Sequence, residues 1–253
     1  MDSRPIGMFD SGCGGLTVLK EYIKEMPNEN FIYYGDTAHL PYGDKSKEKI
    51  IEFSKNIANF LISKNVKMII IACGTASAQA FEELKATYKI PIRNIIEPVA
   101  SLVTDKNIGV IATKGTIKSG AWKNEILKYH PQATVTSLAC PLFVPIVEEG
   151  FSNTKISEYA VKEYISKLKD KNIDSLILGC THYPILTNQI QKEIGENVKL
   201  INAGSISAKD TKKYLEENNL ANNLENIGKK EFYASDDFET FKENAKVLGI
   251  DIN

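Results

Sequence analysis

The chain has 253 residues, 43% of them hydrophobic and 25% charged, a composition that suits a globular protein with a sizeable core in one large or two small domains. A balance of 31 basic against 32 acidic residues leaves a net charge of −1 and gives no electrostatic reason to expect nucleic acid or an anionic membrane as partner. No run approaches the ~18 apolar residues of a membrane span, and the four cysteines lack framework spacing and read as free thiols, which together predict a cytoplasmic protein acting on a small molecule.

Strand and helix then alternate along the chain. PIGMF is a first strand, followed by the loop DSGCGG and a helix with Leu16, Leu19, Ile23 and Met26 on one face. NFIYYG is a second strand, and the loop DTAHLPYGDK, whose Pro and Gly exclude regular structure, leads into a long helix opening near Ser46 with Ile50, Phe53, Ile57 and Phe60 along its buried stripe. MIIIACGTASA carries a third strand into Cys73, with a helix around Gln79 to Tyr88. IPIRNIIEP is a fourth strand closed by Pro98, where the boundary between two domains is placed. The second half repeats the scheme: strand NIGVIAT, helix TIKSGAWKNEILKYH, strand ATVTSLA, loop CPLFVPIVEEG, and a helix with Ile156, Ala160, Tyr164 and Leu168 spaced by four. Strand SLILGC, a helix after THYP and strand VKLIN follow. The tail reads as a Lys/Asn/Glu-rich helix and loop through residue 230, then EFYAS and a last helix from Asp236 to about Leu248.

This alternation predicts an α/β fold of two similar domains, each a mainly parallel sheet covered by helices. The first domain is expected to comprise 1–98 plus 208–253, the tail returning to a half that otherwise has fewer strands, and the second 99–207. In such sheets ligands bind at the carboxyl ends of strands, which places the site in the inter-domain cleft.

MIIIACGTASA and SLILGCTHYPIL each bring a thiol to such a strand end, so Cys73 and Cys180 are expected to share one site. A lone Cys after an apolar strand is more often packing than chemistry, and Cys13 and Cys140 are read that way. The recurrence of the motif argues against it for the other two. A redox pair is disfavoured without Cys-x-x-Cys, a zinc site needs more than Cys180 and His182, and Cys-x5-Arg phosphatase chemistry fails because Gln79 and Leu186 stand where the arginine belongs. Acid/base chemistry fits: inverting a stereocentre without a cofactor takes one group to remove a proton from one face and another to deliver one to the opposite face. An ordinary thiol pKa of about 8.5 lets modest environmental shifts set one partner as thiolate and the other as thiol.

The loops supply the rest of the site. Asp10 and Ser11 end the first strand, with Gly12, Gly14 and Gly15 allowing close backbone approach to a ligand; the pattern does not satisfy G-x-G-x-x-G, so a dinucleotide is rejected. The loop segment Pro41, Tyr42 and Gly43 exposes backbone N–H groups, those of Tyr42 and Gly43, able to grip a carboxylate, and Thr75, Ser77 and Thr181 add hydroxyls. His182 is either a capping histidine or the proton partner of Cys180, and its context favours the second; His39 and His130 receive no role.

FDSGCGGLTVL, YGDTAHLPYG, IACGTASA, CPLFVPIVEEG and LILGCTHYPIL, in this order, resemble the glutamate racemases over nearly the whole chain. The resemblance implies a cofactor-independent, cytoplasmic, homodimeric isomerase that interconverts L- and D-glutamate for peptidoglycan, and so for cell-wall biogenesis and cell shape. It implies Cys73 as base toward the D-isomer and Cys180 toward the L-isomer, Asp10 assisting Cys73 together with Glu148 or Glu149, and His182 assisting Cys180. Substrate contacts are implied for Asp10, Ser11, Pro41, Tyr42, Gly43, Gly74, Thr75, Thr181 and His182; no metal is implied. Three positions depart from the family pattern: Gly74 replaces an Asn, Asn202 and Ala203 replace an Asp and a hydroxyl residue, and Cys13 replaces a Val. Gly74 keeps open a related racemase of aspartate or another small acid, and a two-lobed binding protein without turnover is the alternative outside enzymes.

Overall fold

The computed structural model describes residues 2–222 and 226–248, with Ile250 and Ile252. The expected tail loop through residue 230 and the domain segment 208–253 therefore include positions, 223–225 and three near the end, that lie outside the described residues. Among the described residues no helix is long and apolar enough to cross a membrane.

Two sheets form, and every strand pairing in both is parallel. The first sheet has the order β4 (Ile92–Asn94), β3 (Met68–Ile71), β1 (Ile6–Asp10), β2 (Phe31–Gly35), β9 (Lys230–Ala234). The second has the order β6 (Thr134–Ala139), β5 (Asn107–Ala112), β7 (Ser175–Leu178), β8 (Lys199–Asn202). β1, β3 and β7 are buried at every residue, as continuous apolar strands covered on both faces must be. The tail strand β9 lies beside β2, with Phe31 opposite Lys230. Met8 and Ile70 of one sheet and Val110 and Ile177 of the other belong to a single apolar cluster, so the two sheets share a core between them.

Register decides what meets at the cleft. Phe9 is paired with Ile71, which brings the chain leaving β1 at Asp10 beside the chain leaving β3 toward Cys73. Ile111 is paired with Leu178, which sets Thr113 beside the chain that runs to Cys180.

Several local expectations are corrected. The loop of residues 36–45 contains two 3-10 turns, Thr37–His39 and Tyr42–Asp44. The helix expected from Gln79 begins at the cysteine itself: α3 spans Gly74–Gln79 and α4 Phe81–Thr87. The fourth strand is only Ile92–Asn94, and Pro98 sits in the first turn of helix α5 (Ile96–Leu102). A proline is tolerated there because the first-turn N–H groups have no intrahelical acceptor. The same reason lets Pro145 lie in α8 (Phe143–Glu148), a helix where CPLFVPIVEEG was expected to be a loop. The expected helix of residues 116–130 is split at Gly120 into α6 (Lys114–Ser119) and α7 (Ala121–Tyr129). On α9 (Lys155–Ile165) Ile156 is exposed, and the buried face runs through Ala160, Val161 and Ile165. A 3-10 turn, Tyr183–Leu186, separates Cys180 from α10 (Thr187–Ile194), so the partial positive charge expected from a following helix reaches Cys73 and not Cys180.

Candidate active site

Cys73 is the N-cap of α3: its Sγ accepts the Ala76 N–H at 3.4 Å and lies 3.8 Å from the Ser11 hydroxyl. Burial and the nearby Asp10 carboxyl push its thiol up to about 12. Asp10 is itself fully buried. Burial raises its pKa, partly offset by the charge of His182 and by the N–H groups of Gly12 and Gly15. It accepts the Gly12 N–H at 3.1 Å and the Thr181 hydroxyl at 3.3 Å, which joins the end of β1 to the loop carrying Cys180.

Across the cleft the Cys180 Sγ lies 3.8 Å from His182 Nδ1, and His182 Nε2 hydrogen-bonds a Glu148 carboxylate oxygen. Burial opposes charge on this imidazole, but the bonds to Cys180 and Glu148 outweigh it and hold the ring well above the ordinary histidine range. Glu148 shows the converse, its pKa lowered by His182 against the cost of burial. The histidine therefore bridges the Glu148 carboxylate and the Cys180 sulfur, in surroundings that favour its charged form. The VEEG glutamate expected beside Cys73 lies on the side of the other thiol: Glu148 is bonded to His182, which faces Cys180, and Glu149 is exposed at the cavity rim.

The two thiols open on one cavity of about 370 Å³ lined also by Ser11, Pro41, Tyr42, Gly43, Gly74, Thr75, Glu148, Glu149, Thr181 and His182. Asp10 lies beneath this lining rather than in it. Ser77, expected to donate to a ligand, instead gives its hydroxyl to the Ile71 carbonyl at 3.0 Å. The loop DSGCGG meets protein and not ligand at Gly14, where a Cβ would lie 2.3 Å from the His182 ring. Asn202 takes its own structural role, accepting the N–H groups of Gly204 and Ser205 as the N-cap of α11 (Ala203–Glu217).

The Pro41–Gly43 stretch is held from behind. Tyr42 donates to Asp36 at 2.5 Å, and His39, left without a role by the sequence, lies 2.8 Å from the other oxygen of that carboxylate with its ring stacked on Phe53. Thr75 lies 3.0 Å from the Thr113 hydroxyl and 3.2 Å from that of Thr116, linking the two halves at the cavity.

Leu40, Asp44, Thr113, Lys114, Pro141, Val144 and Pro145 complete the lining and were missed. Thr113 ends NIGVIAT, so the strand-end rule applied to Cys73 and Cys180 could have found it; Lys114 follows it directly, an exposed cation at the rim of a cavity expected to hold an anion. In the proline-rich wall Val144 and Pro145 come from α8, where the sequence predicts a loop, and Pro141 precedes that helix.

Known proteins resemble this chain over nearly its whole length. The Asp/Glu/hydantoin racemase family model matches residues 12–211. A glutamate racemase of Geobacter metallireducens is 42% identical over 240 residues, covering 93% of this chain and 89% of that protein. Glutamate racemase 2 of Caldanaerobacter subterraneus is 43% identical over 252 residues, 98% of this chain and 94% of its own. Among solved structures, glutamate racemase from Francisella tularensis in complex with D-glutamate superposes with a TM-score of 0.94 at 42% identity, covering 100% of this chain and 96% of the other.

Proposed function

From a chain that belongs to the Asp/Glu/hydantoin racemase family, and within it to the glutamate racemases, we propose a two-base mechanism in which Cys73 and Cys180 exchange the Cα proton of glutamate. The protein is an amino-acid racemase, an isomerase. The observation that carries the reading is the pairing of two buried thiols on one cavity, each with its own polar group behind it.

With L-glutamate bound, the Cys180 thiolate removes the Cα proton from one face while the Cys73 thiol delivers its proton to the other; the enzyme is left with a Cys73 thiolate and a Cys180 thiol, the starting state for D-glutamate. The His182 imidazolium stabilises the Cys180 thiolate, and Glu148 holds the ring in the orientation that faces sulfur. Burial, with Asp10, keeps Cys73 a thiol at rest and makes its thiolate a strong base once formed. The Cα–H of an amino acid is a weak acid, so a strong base in a dry pocket lowers the barrier. The Pro41–Gly43 backbone, the Gly74 N–H and the hydroxyls of Ser11, Thr75 and Thr181 hold the carboxylates.

The same reading assigns 1–98 with 208–253 to one lobe and 99–207 to the other, supported by the pairing of β9 with β2. It also takes the enzyme as a cytoplasmic homodimer that supplies D-glutamate for peptidoglycan.

Incubation with L-glutamate in D2O tests the proposal. D-glutamate accumulating with deuterium at Cα is the expected result. Turnover of aspartate alone would move the substrate assignment to a shorter diacid, and glutamate-dependent thermal stabilisation without exchange would reduce the protein to a binding module. Full activity retained in both Cys73→Ser and Cys180→Ser would sink the two-base mechanism for any substrate.

A further inference from the structure

Glu148 has a second donor besides His182. The Cys13 thiol, in the loop between β1 and α1 (Leu16–Glu25), lies 3.4 Å from Glu148 Oε2 and 3.6 Å from Oε1. Cys13 is only 6% exposed and is absent from the lining of the thiol cavity. It stands instead on a second cavity of about 470 Å³, for which Glu148 and His182 form a wall shared with the first. Cys13 thus approaches the carboxylate from the side away from substrate, and anything it does to the reaction passes through Glu148.

We propose that Cys13 is a positioning residue of the Cys180 half-reaction: its thiol donates to the Glu148 carboxylate and so sets how tightly Glu148 holds the His182 proton. The proposal rests on the two-base reading and deepens it. A carboxylate shared between two donors is a weaker acceptor for each. Burial and the charge of Glu148 push the Cys13 thiol upward, so it stays protonated and can only donate. The other charged groups facing the pair are Asp10 beneath it, Lys20 and Glu21 across the second cavity, and Asp44, Lys114 and Glu149 around the first. None of them hydrogen-bonds Glu148, which leaves the thiol as the group placed to temper it from behind.

The isosteric pair Cys13→Val and Cys13→Thr separates the donor from the shape of the side chain. The chain has three histidines, so the Cε1 resonance of His182 in unliganded protein is assigned by its loss in His182→Gln. Loss of the donor in Cys13→Val is expected to move the His182 titration upward by about 0.5 pH unit, while Cys13→Thr stays close to wild type. The alkaline limb of kcat/KM follows the same shift, equally from L- and D-glutamate because the two enantiomers are isoenergetic. Cys13→Ala removes the donor in a smaller side chain and must behave as Cys13→Val does. Identical His182 titration in the Val and Thr variants, or a downward move in Val, overturns the proposal. The resonance is read without substrate, so failure of the deuterium-exchange experiment would be seen separately from failure of this one.

Discussion

A Cβ built on Gly74 would lie 2.4 Å from the carbonyl oxygen of Gly179 and 3.7 Å from the Cα of Cys180. The backbone leaving β3 on one side of the cleft therefore touches the backbone leaving β7 on the other, and only a residue without a side chain permits it. Replacing the Asn of the family pattern, Gly74 withdraws a side-chain amide from the cavity. The geometry gives it a second effect, since it sets how closely the two catalytic strand ends approach.

Gly74→Ala and Gly74→Asn are accordingly expected to part the strand ends and lower kcat/KM by about tenfold to a hundredfold, because misplacement by ~1 Å costs on that order. Thermal unfolding of the variants should change little by comparison, the contact being at the open end of the cleft. Steady-state racemisation measured in both directions checks this; an Asn variant that turns over faster than wild type would show that the contact does not govern the site.

The raised pKa of Cys73 makes a statement about stability. Its folded value of about 12 lies above the unfolded value of 9.0, so its contribution is fully present below pH 9 and is lost as pH rises toward 12. Cys73→Ser cannot titrate. The difference in unfolding free energy between wild type and this variant should be flat up to pH 9 and then fall by about 1.4 kcal/mol per pH unit, as urea titrations from pH 7 to 10.5 would reveal. A difference that grows with pH above 9 contradicts a buried neutral thiol.

Tyr42→Phe removes the hydroxyl that donates to the buried Asp36 carboxylate at 2.5 Å. Leaving Asp36 to His39 alone should cost about 1–3 kcal/mol and loosen the Pro41–Gly43 backbone. Because that hydroxyl is engaged with Asp36, KM for glutamate should rise more than kcat falls. A variant with unchanged KM and reduced kcat would instead give the hydroxyl a direct part in the chemistry.

Far from the cleft, the Lys67 Nζ is buried against Glu29 at 2.6 Å and donates to the carbonyls of Asp2 and Leu220, each at 2.8 Å. This ammonium ties the start of β3 to the N-terminal segment and the tail. Lys67→Met should destabilise by about 3–5 kcal/mol, since it leaves a buried carboxylate without its counter-charge. Lys67→Met with Glu29→Gln should recover part of that loss, and kcat/KM per folded molecule should hold in both; urea unfolding together with active-site titration of the folded fraction gives the answer.

The sequence by itself determined the alternation of strand and helix, the parallel sheets and the two thiols, because each is written in a short stretch of neighbours. A run such as MIII can only be a covered strand, and a Cys following it must emerge at the carboxyl end. Prolines misled twice, at Pro98 and Pro145, since a first-turn proline and a helix-ending proline look alike until the N-terminus of the helix is known. Tertiary structure alone decided which groups meet. Glu148 is 34 residues from His182 and 135 from Cys13 along the chain, and nothing local in VEEG says that the first glutamate turns inward while the second stays exposed. That choice follows from the packing of α8 against the cleft, as the closeness of Gly74 to Gly179 follows from how the two sheets share a core. Distances across a cleft are set by the sum of long-range packing on both sides, and no window of sequence contains both sides at once.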